Sequence, residues 1–210
     1  MQPLFTIGHS TTEVEDFLAR LSAHRIDVIV DVRSSPFSRR FPQYSKDALR
    51  SSLIANGIKY LFLGVQLGAR RTENGCYVNG VAEYGLIAQL PAFKEGISRV
   101  ARGAQDFRVA LMCAEHDPLT CHRTILVCRA LKEHIPEIRH ILRDGAIESM
   151  SDAERRLVDE ENTAHDQADF FSSSPSQHDP LITAYDKRGG KIAYRSRTEE
   201  EDADTHNRFY

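Results

Sequence analysis

Short apolar runs alternate with windows of helical period along this chain. Leu4-Phe-Thr-Ile7 reads as a strand ending in Gly8-His9-Ser10. The next window places Val14, Phe17, Leu18 and Leu21 at i, i+3, i+4 and i+7, the single apolar stripe of an amphipathic helix, with Thr11 or Thr12 placed to cap it. Ile26-Asp-Val-Ile-Val-Asp-Val32 is β-branched and largely apolar, as suits a strand covered on both faces. It runs into Arg33-Ser34-Ser35-Pro36, where the proline disfavours further pairing. Ser45 opens a second helix with Ala48, Leu49, Leu53 and Ile54 as its inner face, and Gly57 is placed to stop it. Lys59 to Leu63 is a third strand, followed by a glycine- and arginine-containing loop from Gly64 to Gly80. Helical pattern resumes near Val81 and breaks at Pro91. Arg108 to Met112 is a fourth strand, Asp117-Pro118 supplies the cap and first-turn proline of another helix, and Ile138 to Leu142 is a fifth strand.

Strands separated by helices imply right-handed βαβ units. The expected fold is α/β, a mostly parallel sheet with flanking helices in Rossmann-like or rhodanese-like layers, over residues 1–150. After Met150 the pattern changes to a polar helix (Ser151 to Glu161) and a linker-like stretch (Ser172 to Gln177). A small hairpin is expected from Leu181 to Tyr194, then a disordered acidic run from Glu199 to Asp204. Charge divides the same way. Residues 1–150 carry 19 Lys/Arg against 16 Asp/Glu, whereas residues 151–210 carry 8 against 14. The second stretch thus reads as a small acidic appendage. A mildly basic body tolerates an anionic ligand but does not demand nucleic acid.

Composition excludes several classes. At 41% hydrophobic and 27% charged residues, the chain is neither collagen-like nor wholly disordered. No apolar run is long enough for a bilayer-spanning helix, and the first residues lack a secretory n-region and h-region. Four cysteines (Cys76, Cys113, Cys121, Cys128) are too few for a disulfide scaffold, so a cytoplasmic location is expected.

Polar, reactive clusters follow almost every predicted strand: Gly8-His9-Ser10, Asp31 to Ser34, Gly64 to Arg71, Cys113-Ala-Glu115 and Asp144-Gly145. In an open parallel sheet the carboxyl ends of the strands share one edge, where ligands bind. The densest cluster is Cys113-Ala-Glu115-His116-Asp-Pro-Leu-Thr-Cys121-His122-Arg123. Cys121 is expected in the first turn of the helix begun at Asp117-Pro118, where backbone N–H groups, His122 and Arg123 favour a thiolate. Arg33 and Arg123 can clamp a carboxylate or phosphate. A buried Asp31–Arg33 ion pair fixing loop geometry is the competing reading for that pair. Cys128 reads as core and Cys76 as incidental, His24, His134 and His140 as packing or surface residues, and Arg39-Arg40 and Arg70-Arg71 as solvated charge. No nucleophile elbow, Walker loop or dinucleotide fingerprint is present in the sequence.

Together, Thr6-Ile-Gly-His-Ser10, Asp31-Val-Arg-Ser-Ser-Pro-Phe-Ser-Arg39, Leu67-Gly68, Cys113-Ala-Glu115…Cys121-His-Arg123 and His140-Ile…Asp144-Gly145 resemble the domain-of-unknown-function 488 family (DUF 488), over roughly residues 3–150. The resemblance implies that His9, Ser10, Asp31, Arg33, Ser34, Cys113, Glu115, Cys121, His122 and Arg123 belong to the family's motif set. It implies no activity and no cofactor. A more distant likeness to rhodaneses and cysteine phosphatases lends only the idea of an anion-binding thiol site.

Three functions compete at this level. The first is an enzyme acting on a phosphate-bearing or other anionic small molecule. Its catalytic groups would be Cys121, Cys113, His122, Glu115 and His9, and its substrate would be held by Ser10, Asp31, Arg33, Ser34 and Arg123. The second is a zinc or iron site using Cys113, Cys121 and a histidine such as His122. The third is a nucleotide or nucleic-acid binding module stacking on Phe37, Phe41 or Tyr44. None of the three needs a membrane.

Overall fold

The structure is a computed structural model that describes residues 2–166 and 179–196. From the N-terminus run β1 (Leu4–Gly8), α1 (Val14–Ala23), β2 (Val28–Asp31), α2 (Lys46–Ala55) and β3 (Lys59–Phe62). A one-turn α3 (Gly64–Leu67) leads to a tight hairpin of β4 (Tyr77–Val78) and β5 (Val81–Ala82), then α4 (Tyr84–Gln89) and α5 (Pro91–Asp106). β6 (Val109–Cys113) precedes a single 3-10 turn at Pro118–Thr120 and a π-helical segment Arg123–Cys128 that continues as α6 (Arg129–Leu131). β7 (Ile138–Ile141), β8 (Ile147–Ser149), α7 (Met150–Asp166) and α8 (Pro180–Ile192) complete the described chain.

The sheet has six strands in the order β3-β2-β6-β1-β7-β8. All neighbours are parallel except the edge strand β8, which runs antiparallel to β7. This is the expected α/β architecture. Alternation along the central strands sorts side chains between two layers. Phe5, Ile7, Ile29, Ala110 and Met112 face α1 and α2, packing with Phe17, Leu21, Leu49 and Leu53. Leu4, Val28, Val30, Val109 and Leu111 face the other layer, with Phe93, Ile97 and Val100 of α5, Ile125 of the π-segment and Leu157 of α7. Each such large side chain contributes roughly 1.5–3 kcal/mol by leaving water.

Several local expectations change. Neither Thr11 nor Thr12 caps α1; Glu13 stands at the cap without a side-chain bond, and Thr12 Oγ1 instead accepts from Arg20 Nη2 at 3.2 Å. On α2, Leu49 and Leu53 are buried, but Ile54 is 56% exposed, because it falls off the stripe that meets the sheet. The segment read as a loop from Gly64 contains the β4–β5 hairpin, whose turn is Asn79-Gly80 with φ of 51° and 73°, a two-residue turn that requires such left-handed residues. Cys76, read as incidental, is buried in the core.

The largest correction concerns residues 181–194, expected as a hairpin. They form α8, started by Asp179, whose side chain accepts from Leu181 N at 2.8 Å, with Pro180 in the first turn. Ala184, Tyr185 and Gly189 form its buried face, at helical rather than strand spacing. α7 matches the expected polar helix and runs further, and its Ala153 and Leu157 share one hydrophobic cluster with Ala184 and Tyr185. The stretch read as an appendage therefore supplies part of the core. Between α7 and α8, Arg188 and Lys191 converge on the buried carboxylate of Glu161. The expected linker and acidic run lie outside the described residues.

Candidate functional site

The carboxyl ends of β1, β2 and β6 open onto one cavity of about 600 Å³. His9 and Ser10 reach it from β1, Arg33 and Ser34 from β2, and Cys113 and Glu115 from β6. Cys121 and His122 reach it from the entrance to the π-segment. The convergence expected of a parallel sheet is thus present for these eight residues. Asp144-Gly145 lies elsewhere, where Gly145 O meets His24 Nε2 at 2.9 Å.

Close approach of backbone explains two glycines. A Cβ on Gly8 would lie 1.8 Å from Glu115 O, so only glycine lets the chain after β6 cross the end of β1. A Cβ on Gly68 would meet Ser34 Oγ at 2.4 Å. Ser34 Oγ in turn accepts from Arg70 N at 2.9 Å, fixing the loop that carries Arg70 to the cavity wall.

Sulphur, imidazole and carboxylate form the floor. Cys113 Sγ lies 3.2 Å from Glu115 Oε2 and 3.7 Å from His122 Nδ1. Cys121 Sγ lies 3.9 Å from the same Nδ1 and accepts from Arg123 N at 3.4 Å. His122 Nε2–H donates to Val32 O at 3.0 Å, which turns Nδ1 toward both sulphurs. The local chain differs from expectation: Asp117-Pro118 starts only the 3-10 turn. Cys121 follows it in extended conformation, and its carbonyl accepts from Ile125 N at 3.2 Å. Cys121 therefore stands at the mouth of the next helical segment, where the Arg123 N–H points at its sulphur. Burial opposes ionisation of Cys121, but the Cys113 thiol, the Arg123 charge and His122 hold it well below the usual thiol range. Its bond to Cys121, and then burial, push Cys113 up. Desolvation, followed by the charge on Cys121, raises the Glu115 carboxyl, although Glu115 is exposed within the cavity.

The opposite wall is a closed polar network. Asp31 is fully buried and grips Arg33 through two carboxylate oxygens, with Nη2 to Oδ2 at 2.7 Å and Nε to Oδ1 at 3.0 Å. Arg33 Nη2 also donates to Tyr44 O at 2.8 Å, and Nη1 to His9 Nε2 at 3.2 Å. These bonds occupy four of the five guanidinium N–H groups, leaving one for a ligand. Tyr60 donates its hydroxyl to Asp31 Oδ2 at 2.7 Å. His9 stacks on Tyr44 with centroids 4.1 Å apart, and its Nδ1–H donates to Ser10 O at 3.0 Å. Burial and the adjacent Arg33 pull its pKa down to about 4, so it is neutral. Both of its nitrogens are taken.

Two expected ligand-binding residues turn inward. Arg123 is fully buried, donating to the carbonyls of Glu115 and His116 and to Thr6 Oγ1. It braces the loop that carries Cys113 and Glu115 and does not face the cavity. Asp31 likewise acts only through Arg33. Arg71, read as solvated, is buried against Glu73 and the carbonyls of Val65 and Gln66. The cavity also gains residues the motifs did not name: Tyr84 from α4, and Ile192 and Tyr194 from the end of α8. Arg70 lies over the Tyr194 ring at 4.9 Å. The spacing of α8 along its buried face is the signal that would have brought it to the body. Nothing in the sequence marks Tyr194 itself.

Among the described residues, Cys113, Cys121 and His122 form the one group whose donor atoms, all within 4.8 Å of one another, can hold a metal ion. No helix among those residues is long and apolar enough to cross a membrane. Residues 13–130 match the family model described as Domain of unknown function DUF488. That is more than half of the 210 residues, and the chain belongs to this family. No curated protein and no solved structure matches it.

Proposed function

We propose that this member of the DUF488 family is an enzyme acting on a small molecule that bears a phosphate or carboxylate. The substrate is bound in the cavity at the carboxyl edge of the sheet and transformed at the sulphur–imidazole–carboxylate floor. One observation carries this reading. Cys113, Glu115, Cys121 and His122 all line a single open cavity whose other wall presents Arg33 and Arg70. Electron-rich groups thus face cationic ones across a space of about 600 Å³, within the usual range for a metabolite-sized ligand. The spare N–H of Arg33 and the guanidinium of Arg70 orient the anionic group. The floor atoms meet the electrophilic centre, and Glu115 exchanges protons there. His9 holds Arg33 in place and takes no part in proton transfer, since neither ring nitrogen is free.

Alkylation of the reduced, chelator-treated protein tests this reading. Iodoacetate and iodoacetamide differ in charge but not in chemistry. The cavity predicts that Cys121 is capped in the folded protein, that iodoacetate gains on iodoacetamide relative to a small free thiol, and that inorganic phosphate protects. Arg70→Ala reduces the iodoacetate preference. If neither Cys113 nor Cys121 is capped in the folded state, or if the anionic reagent is disfavoured, the proposal fails.

A further inference from the structure

Resting on the reading that the cavity floor is the reactive centre, we infer that this floor is a zinc site of the catalytic type. Cys113, Cys121 and His122 are its protein ligands, and the fourth position opens into the cavity.

Distances come first. His122 Nδ1 lies 3.7 Å from one sulphur and 3.9 Å from the other. Tetrahedral zinc, with bonds of about 2.3 Å to sulphur and 2.0–2.1 Å to nitrogen, separates such ligands by about 3.6 Å. The two nitrogen–sulphur edges need to contract by only a few tenths of an ångström, and the two sulphurs lie within 4.8 Å of each other. Orientation agrees with distance. A ligating histidine ordinarily gives its second N–H to a carbonyl or carboxylate, which fixes the tautomer, and His122 Nε2–H is held by Val32 O at the end of β2. The Nδ1 lone pair is therefore aimed by the sheet at both sulphurs.

As a thiol Cys113 donates to Glu115 Oε2 and Cys121 reaches only Nδ1. As thiolates the two sulphurs and the Nδ1 lone pair are three converging acceptors with no proton between them, which one cation serves together. Cysteines buried merely as small apolar groups meet hydrocarbon; these two meet an imidazole nitrogen, a carboxylate and a backbone N–H. The N–H of Arg123 on Cys121 Sγ is an outer contact of the kind that supports an anionic sulphur. Arg123 itself, fully buried, pairs with no carboxylate within 4 Å among the described residues, so a thiolate above it offsets its charge.

The donor set selects the metal. Two thiolates and an imidazole suit zinc, whereas calcium and magnesium require oxygen ligands. It also selects the type of site. The group contains three donors and no fourth cysteine or histidine among the described residues, and Cys128 is sealed in the core. A structural zinc site is closed by four protein ligands; three ligands facing a cavity leave room for water or a substrate oxygen. Glu115 stands beside that open face, 3.2 Å from Cys113 Sγ, outside the ligand triangle.

The test uses the full chain, reduced and stripped of metal, titrated first with cobalt(II) and then with zinc(II). The inference predicts one equivalent of cobalt, a sulphur-to-cobalt charge-transfer band with intense tetrahedral visible bands, and displacement by zinc. Cys113→Ser, Cys121→Ser and His122→Ala each lower affinity by at least about a hundredfold, the upper range for outer-contact losses, while far-ultraviolet circular dichroism checks their folding. Glu115→Gln keeps the band; its loss would overturn the open fourth position. No thiolate band in the wild-type protein, or a band formed with undiminished affinity in Cys121→Ser, overturns the metal site itself. The two readings fail separately. Absent cobalt binding with the iodoacetate preference intact removes the metal and leaves the enzyme. Cobalt binding without that preference leaves a metal site and removes the anionic substrate.

Discussion

The two sides of the cavity are both built around polar side chains that the fold largely encloses, Glu115 apart, yet they are opposite in kind. Around Arg33 nearly every donor has an acceptor: Asp31, Tyr44 O and His9 take four of the five guanidinium N–H groups, and Tyr60 completes Asp31. Around His122 the matching is poorer: Glu115 accepts from the Cys113 thiol, while both sulphurs converge on the single acceptor Nδ1. A satisfied network fixes shape, because each member is held by the others. A cluster of converging acceptors has unmet demand, and demand is what a ligand or metal answers. Burial and charge alone would have rated the two walls alike; the pairing of donors with acceptors separates them.

Substitution at Asp31 breaks the comparison most directly. Asp31→Ala leaves the Arg33 charge buried without its partner and is expected to cost about 3–5 kcal/mol in urea unfolding. A loss below about 1 kcal/mol would show that the network is not the scaffold. Next in size is acid sensitivity. His9 has a pKa of about 4 in the folded protein against about 6.5 unfolded. The unfolded chain therefore binds the extra proton first as pH falls. The contribution of His9 is fully present above about pH 6.5 and declines toward pH 4, by about 3 kcal/mol in all. Unfolding at pH 7 and pH 4 should show His9→Gln losing less stability than the wild-type protein across that interval. Equal losses would place its ring in solvent. The smallest effect is expected on the other wall. Glu115→Gln, at an exposed position, should change stability by no more than about 0.5 kcal/mol, and a larger loss would mean that the floor too is scaffold.

Much of the fold was legible because the five parallel strands and the first two helices carry a clean period, whereas the short β4, β5 and β8 carry none. Phe17 and Leu21, Leu49 and Leu53, and the run through β2 all face where their spacing puts them. α8 was not legible as a helix because Gly189-Gly190 sits inside it, a pair that reads as a turn. The structure places Gly189 on the buried face of α8 against Tyr84, so the pair continues the helix rather than turning the chain. Asp179-Pro180 carried the correct start signal, and it lies next to residues that resemble a linker. At the site, the cysteines, His122 and Glu115 were visible from their positions after β6. The fate of Arg123 was not, since a basic side chain beside a thiol looks the same in sequence whether it faces a ligand or the carbonyls of its own loop.

The pairing of Val81 with Arg195, and of Ala82 N with Tyr194 O at 2.9 Å, closes the cavity wall with residues that come late in the chain. On a ribosome the floor emerges with His122, and the wall only with Tyr194. At about 5–20 residues per second, that interval is roughly 4–14 seconds. During it the cavity lacks the part of its wall that Ile192 and Tyr194 supply.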